Sequence, residues 1–185
     1  MDDLIQLFNI PYVNGVNVLK PNSYEVFVNA LLVSCKYRKG FLLQRVNYKD
    51  IRYYNYLLQK LHDNPYIKSV ELQQGAYFYN PDKMSKHKID YLIANQEDDK
   101  ILGKALNYPC AGDLLAFKKF KKNNYKHIGY NVHLSTLCGN SVMTNICKDY
   151  DRVKKFIVYA NKIKNFIAYK TENRIILQIT VTETF

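Results

Sequence analysis

Apolar residues follow two different spacings along this chain, and that alternation is the strongest constraint on its fold. At residues 49–62 they recur three and four positions apart, which predicts an amphipathic helix. At residues 67–79 two short runs flank Gln74-Gly75, which predicts a β-hairpin. Both patterns intermix through all 185 residues, with no internal repeat and no linker-like stretch. The chain is therefore predicted to form one α+β domain, residues 1–185, with a mainly antiparallel sheet and packed helices.

The other segments predict further elements of both kinds. The predicted helices are 2–9, 24–36, 82–94, 98–106, 110–120 and 149–166. The predicted strands are 16–21, 41–47, 126–135 and 174–182. Residues 24–36 are rich in β-branched and aromatic side chains, so a strand stays an alternative there. Asp98 and Asp99 are predicted to cap a helix rather than to act as catalytic acids.

Charge and cysteine content narrow the class of protein. The chain has 27 Lys and Arg against 16 Asp and Glu, a net charge of +11. No segment approaches the roughly 20 apolar residues of a membrane span, and the early Asp2 and Asp3 are unlike a secretory signal. The four cysteines form no C-x-x-C pair, which predicts reduced thiols. We expect a soluble cytoplasmic protein that needs no cofactor and does not associate with a membrane.

A lysine-rich segment after residue 116 is the first candidate site. Its cations alternate with Phe117, Phe120 and Tyr125. Cations neutralise phosphates and aromatic rings stack on unpaired bases. The predicted nucleic-acid-binding residues are Lys118, Lys119, Lys121, Lys122 and Lys126. The same spacing also fits aromatic residues in the core and lysines in solvent.

One further kind of surface stays open as an alternative. Lysines at positions 154, 155, 162 and 164, on the last predicted helix, belong to the same basic content as the lysine-rich segment. The chain also has 17 Tyr and no Trp. Because exposed tyrosines are enriched at protein interfaces, a Tyr-rich surface that binds a protein partner is a second hypothesis.

Cys110 is the candidate nucleophile. It follows Pro109, which suits the first turn of a helix, and the helix N-terminus would lower the pKa of its thiol. His127 or His133 on the next predicted strand would then be the base. The alternative is that Cys110 is a small buried side chain between packed helices. A metal site from His133, Cys138 and Cys147 with Cys110 or His127 matches no zinc spacing, so no metal is predicted.

Two short motifs carry family resemblances. Leu102-Gly103, Leu106 and Tyr108-Pro109-Cys110 resemble a Leu-Gly-x-x-Leu-x-Tyr-Pro-Cys box of uncharacterised proteins, including some of large cytoplasmic DNA viruses. Asn107 stands where that box usually has Gly. This resemblance implies no known activity, but it implies a viral protein of the host cytoplasm or the virion.

The second resemblance is to papain-like cysteine peptidases of the cell-wall hydrolase type. Gly112-Asp113-Leu114 and His127-Ile128-Gly129-Tyr130 are similar to two of their strands. The resemblance implies that His127 is the base. Those enzymes place their nucleophile well upstream of the Gly-Asp pair, whereas Cys110 lies directly before it.

These observations favour a basic, non-enzymatic accessory protein that binds a protein or a nucleic acid. The alternative is a thiol hydrolase that uses Cys110 and His127. Neither the identity of the partner nor the oligomeric state follows from the sequence.

Overall fold

The computed structural model describes residues 12–13, 16–17, 21–108, 129–136, 141–147, 150–171 and 177–184. The backbone forms two compact units. The N-terminal unit comprises Met1–Gln96 with Ala105–Asn107, and the C-terminal unit comprises Glu97–Lys104 with Tyr108–Phe185. Helices intermix with antiparallel strands, so the predicted α+β class is confirmed. That all 185 residues form one domain stays a prediction.

Short helices and strands alternate along the N-terminal unit. They are β1 (Tyr12–Val13), β2 (Val16–Asn17), α1 (Pro21–Ser34), β3 (Gly40–Gln44), a 3-10 turn (Arg45–Asn47), α2 (Ile51–His62), β4 (Lys68–Leu72), β5 (Gly75–Tyr79) and α3 (Lys86–Ala94). The chain continues through α4 (Asp99–Ala105), β6 (Gly129–Thr136), β7 (Ser141–Cys147), α5 (Tyr150–Thr171) and β8 (Leu177–Thr184).

The core of the N-terminal unit lies between α1, α2 and a three-stranded sheet. Strand β5 is central, and β3 and β4 pair with it on either side in antiparallel register. Phe78 is fully buried and stacks on Phe41 of β3, with ring centroids 5.4 Å apart. Leu57 and Leu61 of α2 join the same cluster. The predicted hairpin at 67–79 is therefore present as β4 and β5.

Helix α1 resolves the open alternative at 24–36. Every residue from Val26 to Ser34 is buried. A helix buried on all sides has no polar face, so its apolar residues show no clean helical period. The β-branched residues that kept a strand open are helical here because burial outweighs their weak local preference.

Buried polar side chains close the carboxyl end of α1. Lys36 has a left-handed φ of 66°, and the Tyr37 N–H donates to the Leu32 carbonyl at 2.9 Å, as in a Schellman cap. The Asn64 amide donates to Ser34 Oγ at 2.9 Å, and the Asn80 amide donates to the Val33 carbonyl at 3.1 Å. The loops after α2 and β5 are thereby fixed to this helix.

Arg38 is the most buried cation of the described residues, with 3% of its surface exposed. Its Nη1 donates to Asn29 Oδ1, and its Nη2 and Nε donate to the Leu106 carbonyl at 2.8 and 3.3 Å. The Tyr77 hydroxyl donates to the neighbouring Ala105 carbonyl at 3.0 Å. Burial raises the pKa of Tyr77 although Arg38 opposes the shift, so the phenol stays a neutral donor.

The segment that ends α4 has a backbone conformation that explains its residue type. Asn107 has a φ of 64°, and the Tyr108 N–H donates to the Gly103 carbonyl at 2.8 Å. This is again a Schellman-type cap. Glycine and asparagine adopt the left-handed conformation at the lowest cost, so the position suits either residue. Asp98 accepts from the Lys100 N–H at 2.7 Å, which confirms its predicted capping role.

In the C-terminal unit, helix α5 packs on a three-stranded antiparallel sheet of order β7-β6-β8. Val153, Phe156, Ala160 and Ile163 are fully buried, and their three- and four-residue spacing places them on one face of the helix. Strand β7 was not predicted, because Ser141, Thr144 and Asn145 interrupt the apolar residues and leave no two-residue alternation.

Several predicted boundaries need correction. The helix predicted at 82–94 begins only at Lys86, because Asn80 Oδ1 accepts from the Asp82 N–H in an Asx turn. Ile51, one of the apolar residues whose spacing predicted the helix at 49–62, is 45% exposed. The helices predicted at 2–9 and 110–120 lie outside the described residues. Of the helices that the structure describes, none combines the length and apolar character that crossing a membrane requires.

Candidate nucleic-acid interface

The residues that the sequence analysis favoured lie outside the described part of the chain. This applies to the nucleophile and base, Cys110 and His127, and to the lysines Lys118, Lys119, Lys121, Lys122 and Lys126. The roles assigned to them stay predictions. Cys138, which was considered as a metal ligand, also lies outside the described residues. In the register of β6 and β7, Cys147 pairs with Tyr130, and Tyr130 is three positions away from His133. Among the described residues, no three His, Cys, Asp or Glu are placed to hold a metal ion.

A different group of aromatic and basic residues lies on α2 and the turn before it. We call it the tyrosine–cation surface, and it comprises Tyr48, Arg52, Tyr53, Tyr56 and Lys60. Within residues 45–60, four cations stand against the single carboxylate of Asp50. The basic and aromatic character predicted for the lysine-rich segment is therefore also present in this segment.

Helical spacing brings these side chains together. Tyr53, Tyr56 and Lys60 are three and four residues apart, so they form one row on α2. The row is held outward because Tyr54, Leu57 and Leu61, one position further round the helix, are buried. Asp50 caps the helix by accepting from the Arg52 N–H at 3.0 Å, which fixes where the row begins.

The tyrosine rings are in mutual contact. Tyr53 and Tyr56 are nearly parallel, with an interplanar angle of 19° and centroids 6.3 Å apart. Tyr48, which directly follows the 3-10 turn, has its ring centroid 6.1 Å from that of Tyr53 and 5.5 Å from that of the buried Tyr54. Tyr48 and Tyr53 also pack against the core. Tyr56 therefore stacks on a ring that is itself packed against the core.

Tyr56 is the most accessible ring of the group. Half of its surface is exposed, at 50%. Lys60 Nζ lies 6.0 Å from its centroid, at the outer limit of a cation–π contact. Arg52 stands one turn before it and is 92% exposed, with Nε 3.7 Å from Asp50 Oδ1. An aromatic ring with cations one turn to either side can offer a stacking face and neutralise phosphates at the same time.

The charge state of the tyrosines suits an anionic ligand. Burial, with a smaller contribution from Tyr56, raises the pKa of Tyr53. Burial also raises the pKa of Tyr54. Both hydroxyls are therefore neutral at physiological pH, and neither repels a phosphate.

The sequence contains a pattern that could have indicated this surface, although the lysine-rich segment at 118–126 was the stronger candidate. The segment Tyr48-Lys49-Asp50-Ile51-Arg52-Tyr53 already places three charged residues between two tyrosines. It was assigned only as a helix because its apolar period was so clear.

No family model, curated protein or solved structure matches the chain. Function is therefore inferred from the residues of the site.

Proposed function

We propose that this protein binds single-stranded nucleic acid without sequence specificity, through the tyrosine–cation surface. The observation that carries the proposal is the half-exposed ring of Tyr56, stacked on Tyr53 and placed between Arg52 and Lys60 on one helix. The net charge of +11 supports it, because a basic protein attracts polyanions at long range.

Single strands are favoured over duplexes by the chemistry of the surface. In a duplex the faces of the bases are stacked on each other, so an exposed tyrosine ring finds no partner. In a single strand any base can stack on the ring, at roughly 1–3 kcal/mol per base. Because every base has such a face, this contact carries no sequence information.

The cations supply affinity rather than specificity. Arg52 and Lys60, with Arg45 and Lys49 nearby in the chain, can approach phosphates on either side of a stacked base. Arg52 already contacts Asp50, so it is less available for bidentate contact with a guanine edge. In this proposal the chain is an accessory protein that handles nucleic acid, not an enzyme.

Replacing the exposed ring tests the proposal. We expect Tyr56→Ala to weaken binding of a labelled oligothymidylate at least about fivefold, which is about 1 kcal/mol and the lower end of the stacking range. Fluorescence anisotropy at fixed low salt measures the effect. Tyr56→Phe keeps the ring and should bind as the wild type does.

Tyr91 provides the matched control. It lies on α3 outside the tyrosine–cation surface and is 54% exposed, close to the 50% of Tyr56. Tyr91→Ala should leave the affinity unchanged. Equal losses for Tyr91→Ala and Tyr56→Ala, or no loss for either, would refute the assignment and leave protein binding as the better hypothesis.

A further inference from the structure

The outer side of helix α5 combines cations and tyrosine in a second, separate arrangement. We define the α5 basic face as Tyr150, Arg152, Lys154, Lys155 and Lys162. All five are exposed, and Tyr150 is 54% exposed. Asp151 is the one carboxylate among residues 150–163. It lies 3.9 Å from Lys154 Nζ, so one cation of the face is already partly neutralised.

The fold fixes which way this face points. Val153, Phe156, Ala160 and Ile163 are fully buried and form the side of α5 that packs on the β7-β6-β8 sheet. Arg152, Lys155 and Lys162 are three and seven residues apart, so they form one exposed row along the helix. Their charges are held in line by a rigid element rather than dispersed over loops.

An aromatic ring lies at the start of this face. Lys154 Nζ is 4.7 Å from the centroid of Tyr150, well within cation–π range. From Tyr150 to Lys162 the helix rises about 18 Å. A strand whose bases stay stacked as in a duplex advances about 3.4 Å per phosphate, so this length spans about five phosphates. The length, the charge and the ring together fit a single strand whose bases remain stacked.

We propose that the α5 basic face is a second binding surface for single-stranded nucleic acid, independent of the tyrosine–cation surface. Each chain then takes up two short strands. This goes beyond the proposed function because it rests on different residues of the other compact unit, and either surface can be wrong without the other.

The test counts short strands bound per chain. An oligothymidylate of about 10 nucleotides fits within the size of a single site, about 4–16 nucleotides. A calorimetric titration of the full chain at low salt should give a stoichiometry of two strands per wild-type chain. Lys155→Gln/Lys162→Gln should give one. Binding by this variant should also release fewer counterions. The slope of log binding constant against log salt is about 0.7 per phosphate contact, and the contribution of the lost site should be missing.

The control variant removes the same charge elsewhere. Lys83→Gln/Lys88→Gln neutralises two exposed lysines near α3 that belong to neither surface, and it should still bind two strands. If both double variants bind two strands, or both lose a strand, the α5 basic face is not a site. Glutamine is nearly as good a helix former as lysine, so α5 should stay intact, as circular dichroism would verify.

The outcomes separate this proposal from the proposed function. One strand per wild-type chain that is lost only in Lys155→Gln/Lys162→Gln supports the α5 basic face and refutes the tyrosine–cation surface. One strand that is lost only in Tyr56→Ala does the reverse. No binding by the wild type refutes both.

Discussion

Replacing Arg38 with methionine should lower the free energy of unfolding by about 2–4 kcal/mol, because it leaves two buried acceptors without their donor. Arg38 is 3% exposed and donates to Asn29 Oδ1 and to the Leu106 carbonyl. Methionine fills most of the space but donates no hydrogen bond. Chemical denaturation of the purified protein, with the midpoint and slope both fitted, measures the loss.

Two variants make this result interpretable. Arg38→Lys keeps the charge but cannot contact Leu106 O with two nitrogens at once, so it should lose less than Arg38→Met. Arg45→Met removes an arginine that is exposed in the 3-10 turn and should change stability by less than about 0.5 kcal/mol. An Arg38→Met protein as stable as Arg45→Met would show that the buried hydrogen bonds contribute nothing.

Gly75→Ala should destabilise the protein by about 3 kcal/mol or more, through strain and steric overlap at the β4–β5 turn. Gly75 has a φ of 138°, a backbone conformation that residues with a side chain rarely adopt. A Cβ at this position would overlap the carbonyl oxygen of Leu43 on the neighbouring strand and lie 3.0 Å from the Arg45 nitrogen. Both are backbone atoms, so no side-chain movement relieves the overlap.

Thermal unfolding followed by circular dichroism checks the glycine prediction. Gln74→Ala, one residue earlier in the same turn, removes only an exposed hydrogen bond to Gln44 and should cost little. If Gly75→Ala and Gln74→Ala melt together, the backbone at position 75 relaxes freely and the predicted strain is absent.

Local patterns predicted the elements whose two faces differ. Helix α2 followed from the spacing of Tyr54, Leu57 and Leu61, because one face is buried and the other meets solvent. Helix α1 was ambiguous because all its sides are buried, and β7 was missed because its apolar residues are diluted by polar ones. Burial of Arg38 was not predictable, since its acceptor Leu106 lies 68 positions away.

The candidate site, too, could be predicted from the sequence only in part. The mixture of tyrosine and basic residues at 48–60 is visible in the sequence, but the contact between Tyr48 and Tyr53 depends on the 3-10 turn that precedes Tyr48. Positions 118–126 also combine lysines with aromatic residues, but they lie outside the described residues, so that prediction stays a prediction. At 48–60 the helical spacing is visible in the sequence, whereas the ring contacts and exposures come only from the packing.

Ultraviolet crosslinking to a uridine-rich single strand tests the central claim most directly, because it reports which aromatic residues touch the bases. The crosslinked peptides should include residues 45–60, with Tyr56 or Tyr53 as the modified position, and should lack the peptide that carries Tyr91. Crosslinks that map elsewhere and never to residues 45–60 would contradict the tyrosine–cation surface as the site of binding.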